Sequence, residues 1–86
     1  MNISIGSLVE VTAGKYKGLV MVVIKLSATH IFVADGRHRK LEHQKRLNPK
    51  HVRVCESVGL IELDAFITNK KLWKQIKEKS VMSVED

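Results

Sequence analysis

Ala13-Gly14-Lys15-Tyr16-Lys17-Gly18 is the segment whose residue types could do chemistry together. Two glycines bracket two lysines and a tyrosine, and glycine permits the left-handed backbone that a short connection needs. Such a tip projects two ammonium groups with an aromatic ring between them. Single-stranded nucleic acid is bound by that combination, cations meeting phosphates and a flat π-face meeting a base. Lys15 and Lys17 are thus candidate phosphate contacts, Tyr16 a candidate stacking ring, and Gly14 and Gly18 structural residues. A solvated turn whose lysines only keep the chain soluble would carry the same letters.

A second basic stretch follows. Between residues 35 and 53, Arg37, Arg39, Lys40, Lys45, Arg46, Lys50 and Arg53 stand against Asp35 and Glu42, a local balance of 7 − 2 = +5. Read as a strand, Arg37 and Arg39 point to one face, His38 and Lys40 to the other. Cations on both faces imply an edge strand. Charge there protects an edge against aggregation, but this density exceeds what protection requires, and the planar fork of arginine suits phosphates and bases. Arg37, His38, Arg39, Lys40, Lys45, Arg46 and Lys50 therefore join the candidate RNA-binding set.

The remaining reactive residues assemble into nothing comparable. His30, His38, His43, His51 and Cys55 lack the paired Cys-x₂₋₄-Cys half of a structural zinc site, so no metal is expected. Cys55 as a nucleophile would need an imidazole base and a pocket, and on an apolar strand it reads as a small buried hydrophobe. Nothing orients Glu56, Glu62 and Asp64 for acid–base work. No enzyme activity, cofactor or small-molecule substrate is expected.

The elements that must position these residues are few. The chain has 86 residues, 44% hydrophobic, with a net charge of +6. That length supports one modest core and a single domain over residues 1–86. The positive balance calls for a polyanion, either nucleic acid or an anionic membrane surface. The longest apolar run, Leu19 to Ile24, is six residues, against about 20 for a spanning helix. No signal peptide is recognisable, and one cysteine cannot form an internal disulfide, so a reducing cytoplasm is expected.

Alternation over Leu8–Thr12, the β-branched run Gly18–Leu26 and the segment Thr29–Ala34 predict three strands. Along the second, Val20, Val22, Ile24 and Leu26 share one face, Met21, Val23 and Lys25 the other. Asp35-Gly36 then reads as a hairpin turn, with Gly36 structural, returning a fourth strand over Arg37–Leu41. His51–Cys55, just after Pro49, is the fifth. Thr68 or Asn69 starts an amphipathic helix over about residues 69–79, whose Leu72, Trp73 and Ile76 are expected to pack on the strands, with base stacking by Trp73 as the alternative. Phe66 is expected in the core, and residues 57–67 fit either a short strand or a helical turn. Lys70, Lys71, Lys74, Lys77 and Lys79 make a basic helical face, either solvated or a further cationic surface for RNA, and too short and too poorly anchored for a purely membrane role. The architecture expected is mainly β: a small barrel of about five strands over residues 5–56 with a C-terminal helix.

Residues 5–31, from Ile5-Gly6-Ser7-Leu8-Val9-Glu10-Val11 through Gly14-Lys15-Tyr16-Lys17-Gly18 to Val20 and Val22, resemble a KOW motif, a hydrophobic alternation around one central glycine, here Gly18. With Val33-Ala34-Asp35-Gly36-Arg37-His38-Arg39-Lys40 and Pro49-Lys50-His51, the chain is similar to small bacterial KOW-domain proteins that resemble archaeal and eukaryotic large-subunit ribosomal proteins. The resemblance implies an SH3-like barrel that binds RNA through the loop between its first two strands, here Gly14 to Gly18. Bulky Met21 stands where many such motifs have a small residue. The expectation is a cytoplasmic, ribosome-associated RNA-binding module, with ribosomal RNA and ribosomal proteins as partners. The alternative is a protein–protein interaction module of the transcription or translation machinery.

Overall fold

The computed structural model describes residues 3–84, with side chains described through residue 79. Five strands and one long helix follow in order: β1 (Leu8–Val11), β2 (Val20–Leu26), β3 (Ile31–Ala34), β4 (Lys45–Leu47), β5 (Val52–Val54) and α1 (Asn69–Val84). The strands form one antiparallel sheet in the order β4-β3-β2-β1-β5. The protein is mainly β with a C-terminal helix. Central β2, the most β-branched segment, pairs with β1 (Leu8↔Val22, Val9↔Met21) and with β3 (Val22↔Ala34, Leu26↔Ile31). A register shift between Val23 and Lys25 marks a bulge, which bends the strand and increases its twist.

The sheet buries both faces along β1, β2 and β3, which explains why these strands read as nearly continuous apolar runs. On one face Val9, Val11, Met21, Val23, Ile31, Val33, Leu47 and Val52 form the inner core. On the other, Leu8, Val22 and Ala34 meet Ile61, Leu72 and Ile76, so α1 covers this side. The alternation expected along β2 holds through Ile24; Leu26 runs out of the core and is 42% exposed.

The two edge strands are consecutive in sequence. Only Asn48–His51 separate β4 from β5, folded as a 3-10 turn in which the Asn48 carboxamide oxygen accepts the Lys50 N–H at 2.9 Å. A chain that leaves one edge and at once enters the other forces the sheet to curl, and Leu47 and Val52 meet in the inner core. Among the described residues no ladder joins β4 to β5, so a turn rather than strand pairing bridges the seam.

The fourth strand is not where the Asp-Gly signal puts it. Residues 37–40 form no strand, and β4 lies at Lys45–Leu47 after a 3-10 turn at Leu41–His43. The physical reason is the Asp35 side chain. Its carboxylate accepts the N–H groups of Arg37 and Arg39, both at 2.9 Å, while the N–H groups of Asp35 and Gly36 donate to the Arg39 carbonyl. Asp35 thus wraps the following residues into a closed loop, the local side-chain-to-backbone bonding at which aspartate excels.

Thr68 is the residue that caps α1, its Oγ1 accepting the Lys71 N–H at 3.2 Å. Such a cap contributes about 1 kcal/mol. Asn69 instead makes a tertiary tie: its Oδ1 accepts the Leu41 N–H and its amide donates to Glu42 Oε1, each at 2.7 Å. The amide bond, with smaller help from Glu42's own backbone and from Lys40 and His43, holds the Glu42 carboxyl below the usual range. The helix extends to Val84, beyond the expected end near residue 79. Two aromatic expectations fail. Trp73 is half-buried outside both core clusters, and Phe66 is 81% exposed because an Asp64 Oδ1 bond to the Phe66 N–H turns the chain outward. The open segment 57–67 resolves into a 3-10 turn at Glu56–Val58, a single bridge between Ser7 and Leu60, and buried Ile61.

Candidate nucleic-acid interface

The glycine-bracketed segment is a β1–β2 loop closed at its base by two backbone bonds, Gly18 N–H to Val11 O at 2.8 Å and Val11 N–H to Leu19 O at 2.9 Å. Within it, the Gly14 carbonyl accepts the Lys17 N–H and the Tyr16 carbonyl accepts the Leu19 N–H. These turns tuck the Tyr16 ring, half-buried, against the inner core and leave Lys15 and Lys17 exposed. The Lys15 ammonium lies 5.6 Å from the Tyr16 ring centre, within cation–π range.

A groove of about 340 Å³ runs beside this loop. Gly14, Lys15 and Tyr16 form one wall; Lys45 and Arg46 of β4, with Asn48 and His51, form the other, and His30 also borders it. The opposing wall is held in place by the Thr12 N–H, which donates to the His51 carbonyl at 2.8 Å. That bond fixes the Pro49–His51 turn beside the start of the loop, with exposed Lys50 on it. Three of the five lysines and arginines on these elements are thus at the groove itself: Lys15, Lys45 and Arg46.

The 37–40 stretch goes elsewhere. Arg37 and His38 lie over helix α1, the guanidinium 5.3 Å from the Trp73 ring centre and the imidazole edge-on to it at 5.7 Å. The Lys77 ammonium is 5.9 Å from the same ring. His38 Nδ1 is held by Asp35 Oδ2 at 2.8 Å. Arg39 is half-buried, its Nε buried without a hydrogen-bond partner among the described residues. Lys40 is exposed ahead of the 41–43 turn. Arg53, the last cation of the basic stretch, pairs with Glu10, whose carboxylate raises its already high pKa. Gly18 and Leu19 border the Trp73 surface, so the loop lies between the two basic regions.

Sequence spacing finds the loop, Lys45 and Arg46 but singles out neither His30 nor His51, and it does not join Trp73 and Lys77 to them. Trp73 and Lys77 do sit four apart on the expected helix, a neighbouring pair on one face. Nothing local in the sequence brings Arg37 to them.

Among the described residues, no three His, Cys, Asp or Glu side chains come together as a metal site, and no helix is long and apolar enough to cross a membrane. Cys55 packs against the helix-side core, and burial above all, with Glu10 adding, pushes its thiol up while Arg53 opposes. The expected result is slow alkylation: iodoacetamide should react with native Cys55 more slowly than with free cysteine near pH ~8, the rate still climbing where a free thiol, with a pKa of about 8.5, levels off. Equal rates in native and denatured protein would contradict this.

Neither a protein-family model nor a curated protein matches the chain.

Proposed function

We propose that this protein is a non-enzymatic RNA-binding module whose phosphate-binding surface is the groove between the 14–18 loop and β4. The observation that carries it is the convergence of Lys15, Lys45 and Arg46 on one groove with the Tyr16 ring between loop and core. Two elements distant in sequence bring cations and an aromatic face to one place, which a solvated turn and a charged edge would not need to do. Cations on a groove track a nucleic-acid backbone, and an adjacent ring accepts a base. The resemblance to KOW-domain proteins supports the same class and narrows the partner to ribosomal RNA in the cytoplasm.

The test is the salt dependence of RNA binding. With Lys15, Lys17, Lys45, Arg46 and Lys50 engaged, log K against log[salt] should slope near −4, at about −0.7 to −0.9 per phosphate. Lys15→Ala with Lys17→Ala should flatten it by about one to two units. An unchanged slope in a filter-binding titration of the folded double variant removes the loop from the interface.

A protein partner is the second reading. Phe66 and Leu60 are exposed large apolar residues, 81% and 58%, near Glu62 and Asp64 in sequence. Association of a partner with that segment, indifferent to salt and abolished by Phe66→Ala, would select it.

A further inference from the structure

The Trp73 surface has a chemistry that the groove does not. Trp73, Ile76, Leu19 and Val20 form a mostly apolar hollow of about 260 Å³ beside Gly18. That is just under the ~300 Å³ at which sites for drug-sized ligands begin, a size for one flat group. The charge around it is of one sign. Arg37 and Lys77 carry their cations to within 5.3 and 5.9 Å of the indole centre. The one acidic side chain in the lining, Asp35, is 1% exposed, and its two oxygens are engaged by the N–H groups of Arg37 and Arg39 and by His38. Its carboxylate therefore builds the site and is not presented to a ligand. An apolar aromatic floor with a cationic rim fits a ligand that is flat and anionic at once.

We infer that Trp73 is a nucleobase-stacking platform, and that the RNA engaged is single-stranded at this point: a loop, bulge or end with one unstacked base. The inference rests on the RNA reading of the neighbouring groove and deepens it. Continuity supports a strand over any separate ligand. From Lys15 to Gly18 is three residues, at most ~11 Å of chain, a gap that a short stretch of single strand bridges. At Gly18 an added Cβ would meet nothing within 4 Å, so the backbone ridge between groove and hollow is open on that side. Phosphates lying along Lys15, Lys45 and Arg46 then continue past Gly18, and the next base drops onto the indole. Arg37 is exposed, and a rotamer change lets its planar guanidinium close over the base's other face. A base inside a duplex cannot reach the ring, so the platform discriminates against paired RNA.

Trp73 is the sole tryptophan of the chain, so its emission reports on this site alone. Full-length protein is titrated with a single-stranded RNA of about 12 nucleotides and with the duplex it forms with its complement, sizes covering one small binding face. Affinity is read by filter binding in parallel with emission. The expected result is quenching by the single strand at the concentrations at which the filter assay saturates, and little by the duplex. Trp73→Leu should weaken single-strand binding about 10-fold and Trp73→Phe no more than about 3-fold, since stacking is worth roughly that much per base. Circular dichroism checks that both variants fold; should Trp73→Leu fail to, the phenylalanine variant and the wild-type emission decide alone. Single-strand binding with unchanged emission and unchanged affinity in the variants overturns the platform and leaves the groove standing. No RNA binding in the filter assay overturns both. Quenching by a glutamate-rich peptide carrying one phenylalanine, but not by RNA, overturns the platform in favour of an acidic protein partner.

Discussion

Gly36→Ala is expected to destabilise the protein by about 3 kcal/mol or more, which at ~4–8 °C per kcal/mol for a domain of this size lowers the melting midpoint by roughly 12–24 °C. Gly36 has φ +83°, and a Cβ built there would stand 2.1 Å from the Asn69 carbonyl oxygen and 2.9 Å from its carbon. Both obstacles are backbone at the start of α1, so no side-chain rotation relieves them. To accept the methyl group, the 35–39 loop and the helix must separate. That movement breaks the Asn69 bonds to Leu41 and Glu42 and loosens the Leu72 and Ile76 contacts that bury one face of the sheet. Gly14→Ala is the control. Its φ is +86°, nearly the same, but nothing lies within 4 Å of the added Cβ. It should cost only the backbone term, about 1–2 kcal/mol. Thermal melts followed by circular dichroism measure both, and equal losses would mean that the close approach of Gly36 to Asn69 does not hold the helix.

Removing two cations from the groove should have the largest effect on binding. Lys45→Gln with Arg46→Gln should flatten the salt slope by about 1.5–2 and weaken RNA binding roughly 10- to 50-fold near ~0.1 M salt. Lys71→Gln with Lys79→Gln removes the same net charge from a different place, a hollow that also holds Glu62 and Asp64. Carboxylates beside those lysines repel phosphate, so binding there should change by no more than about 2-fold. Folding is not at stake in the groove pair: Arg46 is exposed, Lys45 half-buried, and β4 keeps its ladder to β3 through backbone bonds. A filter-binding titration in which both pairs lose affinity equally would show that net charge, and not the groove, draws the RNA.

How far the sequence carries depends on whether a residue's role is decided locally. β1, β2 and β3 were legible because β-branched alternation and their place beside glycines are local properties, and β5 because Pro49 marks its start. The helix was legible from Leu72 and Ile76, and its cap from Thr68. β4 was not. Lys-Arg-Leu contains one apolar residue, too few to alternate, and it is a strand only because β3 offers Phe32 and Val33 as partners for Arg46 and Lys45. The Asp-Gly pair, read as a hairpin, was outcompeted by Asp35's own carboxylate bonding to the backbone two and four residues on.

By itself the sequence determined a small basic chain with a glycine-bracketed cationic loop, a β-rich body and one amphipathic helix, because each follows from residue type and short-range spacing. Tertiary structure alone decided which cations act together. Lys45 and Arg46 join Lys15 because a four-residue turn makes the sheet's two edges neighbours and the Thr12–His51 bond holds that turn against the loop. Arg37 and His38 leave that company for Trp73 because one buried carboxylate folds them back over the helix. Charge is written along the chain, but its field acts through space, and only the folded path sets the distances.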